Sequence, residues 1–123
     1  MTTVMRVGGP APYDVVIGPG TTTSVPDMIS EAGRAAVIAD PTVRGHATRI
    51  AEQLAATGID VDVLDVPAGE AAKSLATVAR LWDELGDLRL TRNDAIVAVG
   101  GGATTDVAGF VAATWLRGIR VVQ

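Results

Sequence analysis

The residues best suited to chemistry in this sequence surround a triple glycine, Gly100–Gly102. The run before it, Ala95–Val99, is short, apolar and rich in β-branched residues, which predicts a buried strand. A helix is predicted to begin near Ala103. Three glycines permit positive φ and a close approach of another group to the backbone. A strand, a glycine loop and a helix in this order direct free N–H groups at a phosphate, although the same order also forms a tight turn without a ligand.

Three charged residues follow the two preceding predicted strands. Asp40 ends one strand; its carboxylate can accept both hydroxyls of a ribose, or it can simply favour the dipole of the next helix. Glu70 and Lys73 follow the next strand; they can hold a sugar and a phosphate, or form an exposed ion pair. Because ligands of open α/β sheets bind at the carboxyl ends of the strands, we expect these residues to lie beside the glycine loop.

The helix after the glycines carries further polar groups. Asp106 is expected in its first turn, where an acid stabilises the helix but repels a phosphate, so we predict that Asp106 meets an amide or hydroxyl of a ligand. Thr104 and Thr105 add hydroxyl donors beside it. Arg117 is expected at the C-terminus of the helix, where a cation favours the dipole; it can also reach an anion on this chain or on a neighbouring one.

Composition excludes several other kinds of protein. A net charge of −4 without a basic run argues against a nucleic-acid partner. The sequence has one histidine, His46, and no cysteine, so it cannot form a three-ligand catalytic zinc site. We expect His46 on the solvated side of its helix. No apolar stretch reaches membrane-spanning length, and no signal peptide is recognisable, so a cytoplasmic protein without a membrane partner is expected.

Hydrophobic periodicity predicts one α/β domain with a mostly parallel sheet and flanking helices. The 48% hydrophobic and 3% aromatic content suits buried parallel strands of Val, Ala, Leu and Ile. The alternation of Val and Asp in the fourth strand indicates a position nearer the sheet edge, and the first two strands form a hairpin or lie side by side. The predicted strands are Thr2–Val7, Tyr13–Ile17, Ala35–Ala39, Val61–Val66, Ala95–Val99 and Ile119–Val122, and the predicted helices are Val25–Ala32 (capped by Ser24), Thr42–Ala56 (capped by Thr42), Leu75 to near Gly86, and Ala103 onward.

Taken together, these motifs resemble the signature of the 3-dehydroquinate synthase family. The resemblance extends over nearly the whole chain, and the stretch from the glycines to Arg117-Gly118 is its most specific part. The matching residues are Gly100-Gly101-Gly102, Asp106, Gly109-Phe110, Ala112-Ala113-Thr114 and Arg117-Gly118, with Pro67-Ala68-Gly69-Glu70 and Lys73 as a second segment and Asp40 as a third.

The resemblance implies a Rossmann-like, NAD-binding N-terminal domain, here residues 1–123, followed in the family by a helical C-terminal domain that binds zinc or cobalt. It implies conversion of 3-deoxy-D-arabino-heptulosonate 7-phosphate to 3-dehydroquinate and phosphate, in the shikimate pathway to chorismate and the aromatic amino acids, by a homodimer. Arg117 matches an arginine that reaches the substrate phosphate, in some cases across a dimer interface. The NAD-binding positions implied by the match are Asp40, Ala68, Gly69, Glu70, Ala71, Ala72, Lys73, Gly101, Gly102, Ala103, Thr104, Thr105 and Asp106.

Two departures from the family pattern stand out. Thr105 occupies a position that is usually glycine, and it would be strained if that position required positive φ. The family's metal ligands and substrate-binding lysine would all follow Gln123, so we expect a portion of a longer enzyme that is inactive by itself. Alternatives are another sugar-phosphate cyclase or a metal-dependent polyol dehydrogenase of the same superfamily, and a nucleotide-binding module that acts alone.

Overall fold

The computed structural model describes residues 1–123, which form six strands and four α-helices. Short 3-10 helices cover Thr21–Ser24, Pro41–Val43, Gly69–Ala72 and Trp115–Arg117. The strands and helices are β1 (Thr3–Val7), β2 (Tyr13–Ile17), α1 (Val25–Met28), β3 (Arg34–Ala39), α2 (Arg44–Ala56), β4 (Asp60–Asp65), α3 (Leu75–Asp87), β5 (Ala95–Val99), α4 (Gly102–Thr114) and β6 (Arg120–Val122).

The main sheet is parallel and has the strand order β4-β3-β5-β6. β4 lies at its edge, as the alternating Val and Asp residues predicted. β1 and β2 pair antiparallel as a separate hairpin, the first of the two arrangements that the sequence allowed. The predicted α/β class with a mostly parallel sheet is confirmed.

Alternate residues of the central strands point to opposite faces of the sheet, and each face carries its own core. Ala36, Ile38 and Ile96 pack under α3 and α4 on one face. Val37 and Val97 pack under α1 and α2 on the other. This double burial explains why β3 and β5 read as continuous apolar runs rather than as alternating ones.

Two local predictions are wrong. The first helix ends at Met28 rather than near Ala32, because the chain leaves helical geometry at Ile29, whose side chain is completely buried. The side chain of Thr42 does not cap the helix that leads to Ala56. Asp40 does so for the 3-10 turn before it, accepting a hydrogen bond from the backbone N–H of Thr42 at 2.8 Å.

Candidate functional site

The predicted functional segments meet at the carboxyl edge of the main sheet. Ala39, Asp65 and Val99 are aligned in the register of β3, β4 and β5. The segments that follow these three residues therefore leave the sheet at the same level. They contain Asp40, the Gly69–Lys73 turn and the glycine loop, so the expected gathering of these residues is confirmed.

Lys73 connects two of these segments. Its Nζ atom lies 2.7 Å from Oδ2 of Asp106 and 3.2 Å from Oε2 of Glu70. The hydrogen bond with Asp106, and then that with Glu70, raises the pKa of the Lys73 ammonium above its ordinary value. Asp106 lies in the second turn of α4, because the helix begins at Gly102 and not at Ala103. The i,i+3 ion pair of Glu70 and Lys73 is therefore present, but it is part of a cluster of three charges.

The three glycines of the loop differ in what they require. None has positive φ, so the loop does not use the conformational freedom that its three glycines permit. A Cβ on Gly100 would lie 2.6 Å from the hydroxyl oxygen of Thr104, so this glycine is required by packing inside the protein. A Cβ on Gly101 or Gly102 would meet no atom within 4 Å. Nothing within the chain therefore demands glycine at these last two positions.

The N-terminus of α4 is open. The N–H groups of its first turn, Gly102–Thr104, have no acceptor within the helix by geometry, and no side chain caps them. The hydroxyl of Thr105 donates to the carbonyls of Gly101 and Gly102 at 3.3 and 3.1 Å. The φ of Thr105 is not positive, so the threonine that replaces the family's glycine is not strained. Thr104 is only 1% exposed, so this residue, side chain and backbone alike, is packed inside the protein and its hydroxyl is not the free donor at the edge that the sequence predicts.

Asp40 is held in place by the turn that follows it. Its carboxylate accepts hydrogen bonds from the N–H and the hydroxyl of Thr42, both at 2.8 Å. These bonds, with a smaller contribution from the N–H of Gly69, hold the pKa of the Asp40 carboxyl below its ordinary value. Gly69 has a φ of 66° at the start of its 3-10 turn, a conformation that favours glycine. Asp40 is thus an ionised acceptor beside the Gly69–Lys73 turn.

A groove beside the charge cluster was missed by sequence reasoning. It has a volume of about 410 Å³ and runs between the N-terminal end of α3 and the side of α4. The apolar stripes of these helices predict that Leu75 and Phe110 are buried, but they are 78% and 53% exposed. Leu75 is the first residue of α3, and Phe110 lies within α4 between the buried Val107 and Val111, so helical spacing alone cannot tell core from groove at these positions. The groove is lined by Lys73, Ser74, Leu75, Val78, Asp106, Val107 and Phe110.

Arg117 does not join this site within the chain. It follows α4 at the opposite end from Asp106, and a helix of 13 residues is about 20 Å long. Leu116 and Arg117 have φ values of 49° and 66°, an uncommon conformation for residues other than glycine. The side chain of Arg117 is exposed at the end of the sheet where β6 begins.

His46 is exposed on α2, as expected. The chain contains no group of three or more His, Cys, Asp or Glu side chains arranged to hold a metal ion. No helix combines the length and hydropathy that a transmembrane span requires. The candidate site is therefore the polar edge formed by Asp40, the Gly69–Lys73 turn and the start of α4.

The comparison with known proteins agrees with the motifs on this edge. The family model described as 3-dehydroquinate synthase N-terminal matches residues 63–123. The 3-dehydroquinate synthase of Thermobifida fusca (strain YX) is 52% identical over 122 residues, which are 98% of this chain and 33% of that enzyme. The enzyme of the same name from Saccharopolyspora erythraea is 44% identical over 97% of this chain and 32% of its own length. Over nearly its whole length the chain is similar to 3-dehydroquinate synthases, and its second half matches the N-terminal model of that family.

It corresponds to the N-terminal portion of that family and spans about a third of the length of the curated relatives it matches. The fold is shared with a sugar-phosphate cyclase of known structure. A crystal structure of 2-deoxy-scyllo-inosose synthase, complexed with carbaglucose-6-phosphate, NAD+ and Co2+, is similar with a TM-score of 0.85 and 30% identity, covering 97% of this chain and 34% of that one.

Proposed function

We propose that residues 1–123 form the NAD-binding part of a 3-dehydroquinate synthase, with the cofactor along the carboxyl edge of the sheet. The pyrophosphate would lie on the free N–H groups of Gly102 and Ala103, the adenosine ribose at Asp40, and the rest of the cofactor along the Gly69–Lys73 turn. Bound NAD supplies a hydride acceptor and donor. This chain would bind and orient it, with Ala68–Lys73 and Gly101–Asp106 as the two cofactor segments.

The observation that carries this proposal is the open space at Gly101 and Gly102. Gly101 has an extended backbone and Gly102 is the first residue of α4, and each has room for a Cβ, yet both positions at this uncapped helix N-terminus are glycine. A ligand that approaches the backbone closely accounts for this combination. The NAD+ bound in the similar crystal structure of 2-deoxy-scyllo-inosose synthase supports NAD as that ligand.

The activity of the whole enzyme is part of the same proposal. It would convert 3-deoxy-D-arabino-heptulosonate 7-phosphate to 3-dehydroquinate and phosphate, with a zinc or cobalt ion that the residues of this chain do not fit, since no metal-ligand cluster is present. Because Arg117 lies a helix length from the cofactor edge, its contact with a substrate phosphate would be made in the site of a second copy. This favours a homodimer as the working form.

The cofactor position is tested by Gly102→Val. The added side chain has open space in the protein, so the fold should persist while the affinity for NAD is lost. Gly45→Val is the matched control, because Gly45 lies in the first turn of α2 and its Cβ would also meet nothing within 4 Å. Titration calorimetry with NAD and thermal melting of both variants make the comparison. Wild-type affinity in Gly102→Val would place the cofactor elsewhere.

The substrate role of Arg117 is tested separately by Arg117→Ala in an enzyme that has the full length of the curated relatives. We expect NAD affinity to stay unchanged and turnover or substrate affinity to fall, because the cation is far from the cofactor edge. If Arg117 is only a helix C-terminal charge, the substitution costs a few tenths of a kcal/mol of stability and leaves the kinetics unchanged, about the worth of an exposed charge at a helix end. Steady-state kinetics and a melting curve distinguish the two results.

A further inference from the structure

Asp106 presents an electrostatic problem for the proposed dinucleotide site. Its carboxylate is in the second turn of α4, close to the N–H groups that would hold two negatively charged phosphates. A negative charge there opposes the attraction that the helix dipole offers an anion. The Asp106 side chain is exposed and has Lys73 as its sole ion-pair partner.

Lys73 is already committed to carboxylates. An ammonium group has three N–H donors, and two carboxylates, those of Asp106 and Glu70, occupy its surroundings at 2.7 and 3.2 Å. The next residue back, Ala72, is completely buried against the core under α4, which fixes the stem of the turn that carries Lys73. The shorter of the two ion pairs thus joins the Gly69–Lys73 turn to α4.

We propose that Lys73 acts on the dinucleotide mainly through Asp106: it neutralises that carboxylate beside the phosphate position and holds the turn against α4. Lys73 is thus a positioning residue, and direct contact with a phosphate is the lesser part of its effect. This inference rests on the proposed NAD site, since it concerns how that site tolerates an acid at its centre.

A double-mutant cycle separates the two roles of Lys73. The four proteins are wild type, Lys73→Met, Asp106→Asn and the double variant, and the probe is NAD, followed through the backbone amide NMR signals of Gly101–Ala103. If Lys73 neutralises the charge of Asp106, Lys73→Met weakens NAD binding about fivefold in the wild-type background, because one exposed and unneutralised negative charge then repels the phosphates at close range. In the Asp106→Asn background the same substitution has less than a twofold effect.

The remaining outcomes are distinct. An equal loss from Lys73→Met in both backgrounds means direct phosphate contact and overturns the inference while leaving the NAD site intact. Absence of any shift at Gly101–Ala103 with wild-type protein at millimolar NAD overturns the proposed function, and the inference with it. Arg6→Met is the charge control, because Arg6 forms a comparable exposed pair with Asp14 at 2.8 Å in the hairpin; it should leave NAD affinity unchanged. A lower melting temperature of Lys73→Met with NAD affinity unchanged in both backgrounds would overturn the inference and make Lys73 a purely structural residue.

Discussion

Replacing Gly100 with alanine should destabilise the fold, although the neighbouring glycine tolerates the same change. The new Cβ would lie 2.6 Å from Oγ1 and 2.7 Å from Cβ of Thr104, closer than real carbon contacts allow. Thr104 cannot swing away, because it is 1% exposed. Overpacking of this kind costs about 1–3 kcal/mol. In a domain of this size 2 kcal/mol lowers the melting temperature by about 6–12 °C.

The assay is urea unfolding together with thermal melting of Gly100→Ala and Gly101→Ala. Gly101 has φ −82° and ψ −169°, and a Cβ there meets nothing within 4 Å, so alanine fits without strain. Because alanine has less conformational entropy than glycine in the unfolded chain, Gly101→Ala should leave the stability unchanged or raise it by up to about 1 kcal/mol. Equal stability of the two variants would refute the reasoning, since it would mean that the loop moves freely away from Thr104.

Two further predictions concern the loop before β5. Asp94 is 6% exposed. Burial raises the pKa of its carboxyl, but hydrogen bonds from Thr91 and from the N–H of Arg34 outweigh this effect and hold the pKa below its ordinary value. Asp94→Asn should lower the free energy of unfolding by about 2 kcal/mol at pH 7. This difference from wild type should be fully present above pH 5 and should be lost as the pH falls through the pKa of Asp94 in the folded protein. Urea unfolding at pH 7, 5 and 3 measures it. Trp115→Phe removes a 3.1 Å bond to the carbonyl of Leu90 and should cost about 1 kcal/mol in the same assay, whereas an unchanged midpoint would show that this bond contributes nothing.

The order of elements and the location of the site could be derived from the chain alone. Apolar runs such as Ala95–Val99 identify buried strands because both faces of a central strand are covered. Alternation of strands and helices then requires a parallel sheet, and a parallel sheet places every strand-to-helix turn that carries a polar motif at one edge. Asp40, the Gly69–Lys73 turn and the glycine loop were therefore predictable as neighbours, and their spacing carried the family resemblance.

Only the tertiary structure decided what the individual side chains contact. The sequence does not distinguish Gly100 from Gly102. In the structure Thr104 packs against Gly100 and leaves Gly102 open, and this depends on how α4 is oriented relative to the end of β5. The pairing of Lys73 with Asp106 depends on α4 lying next to the Gly69–Lys73 turn. Local periodicity predicts which face of a helix is apolar, but the extent of the covering layer decides whether Phe110 at the margin is buried or exposed, and that is a property of the packed chain.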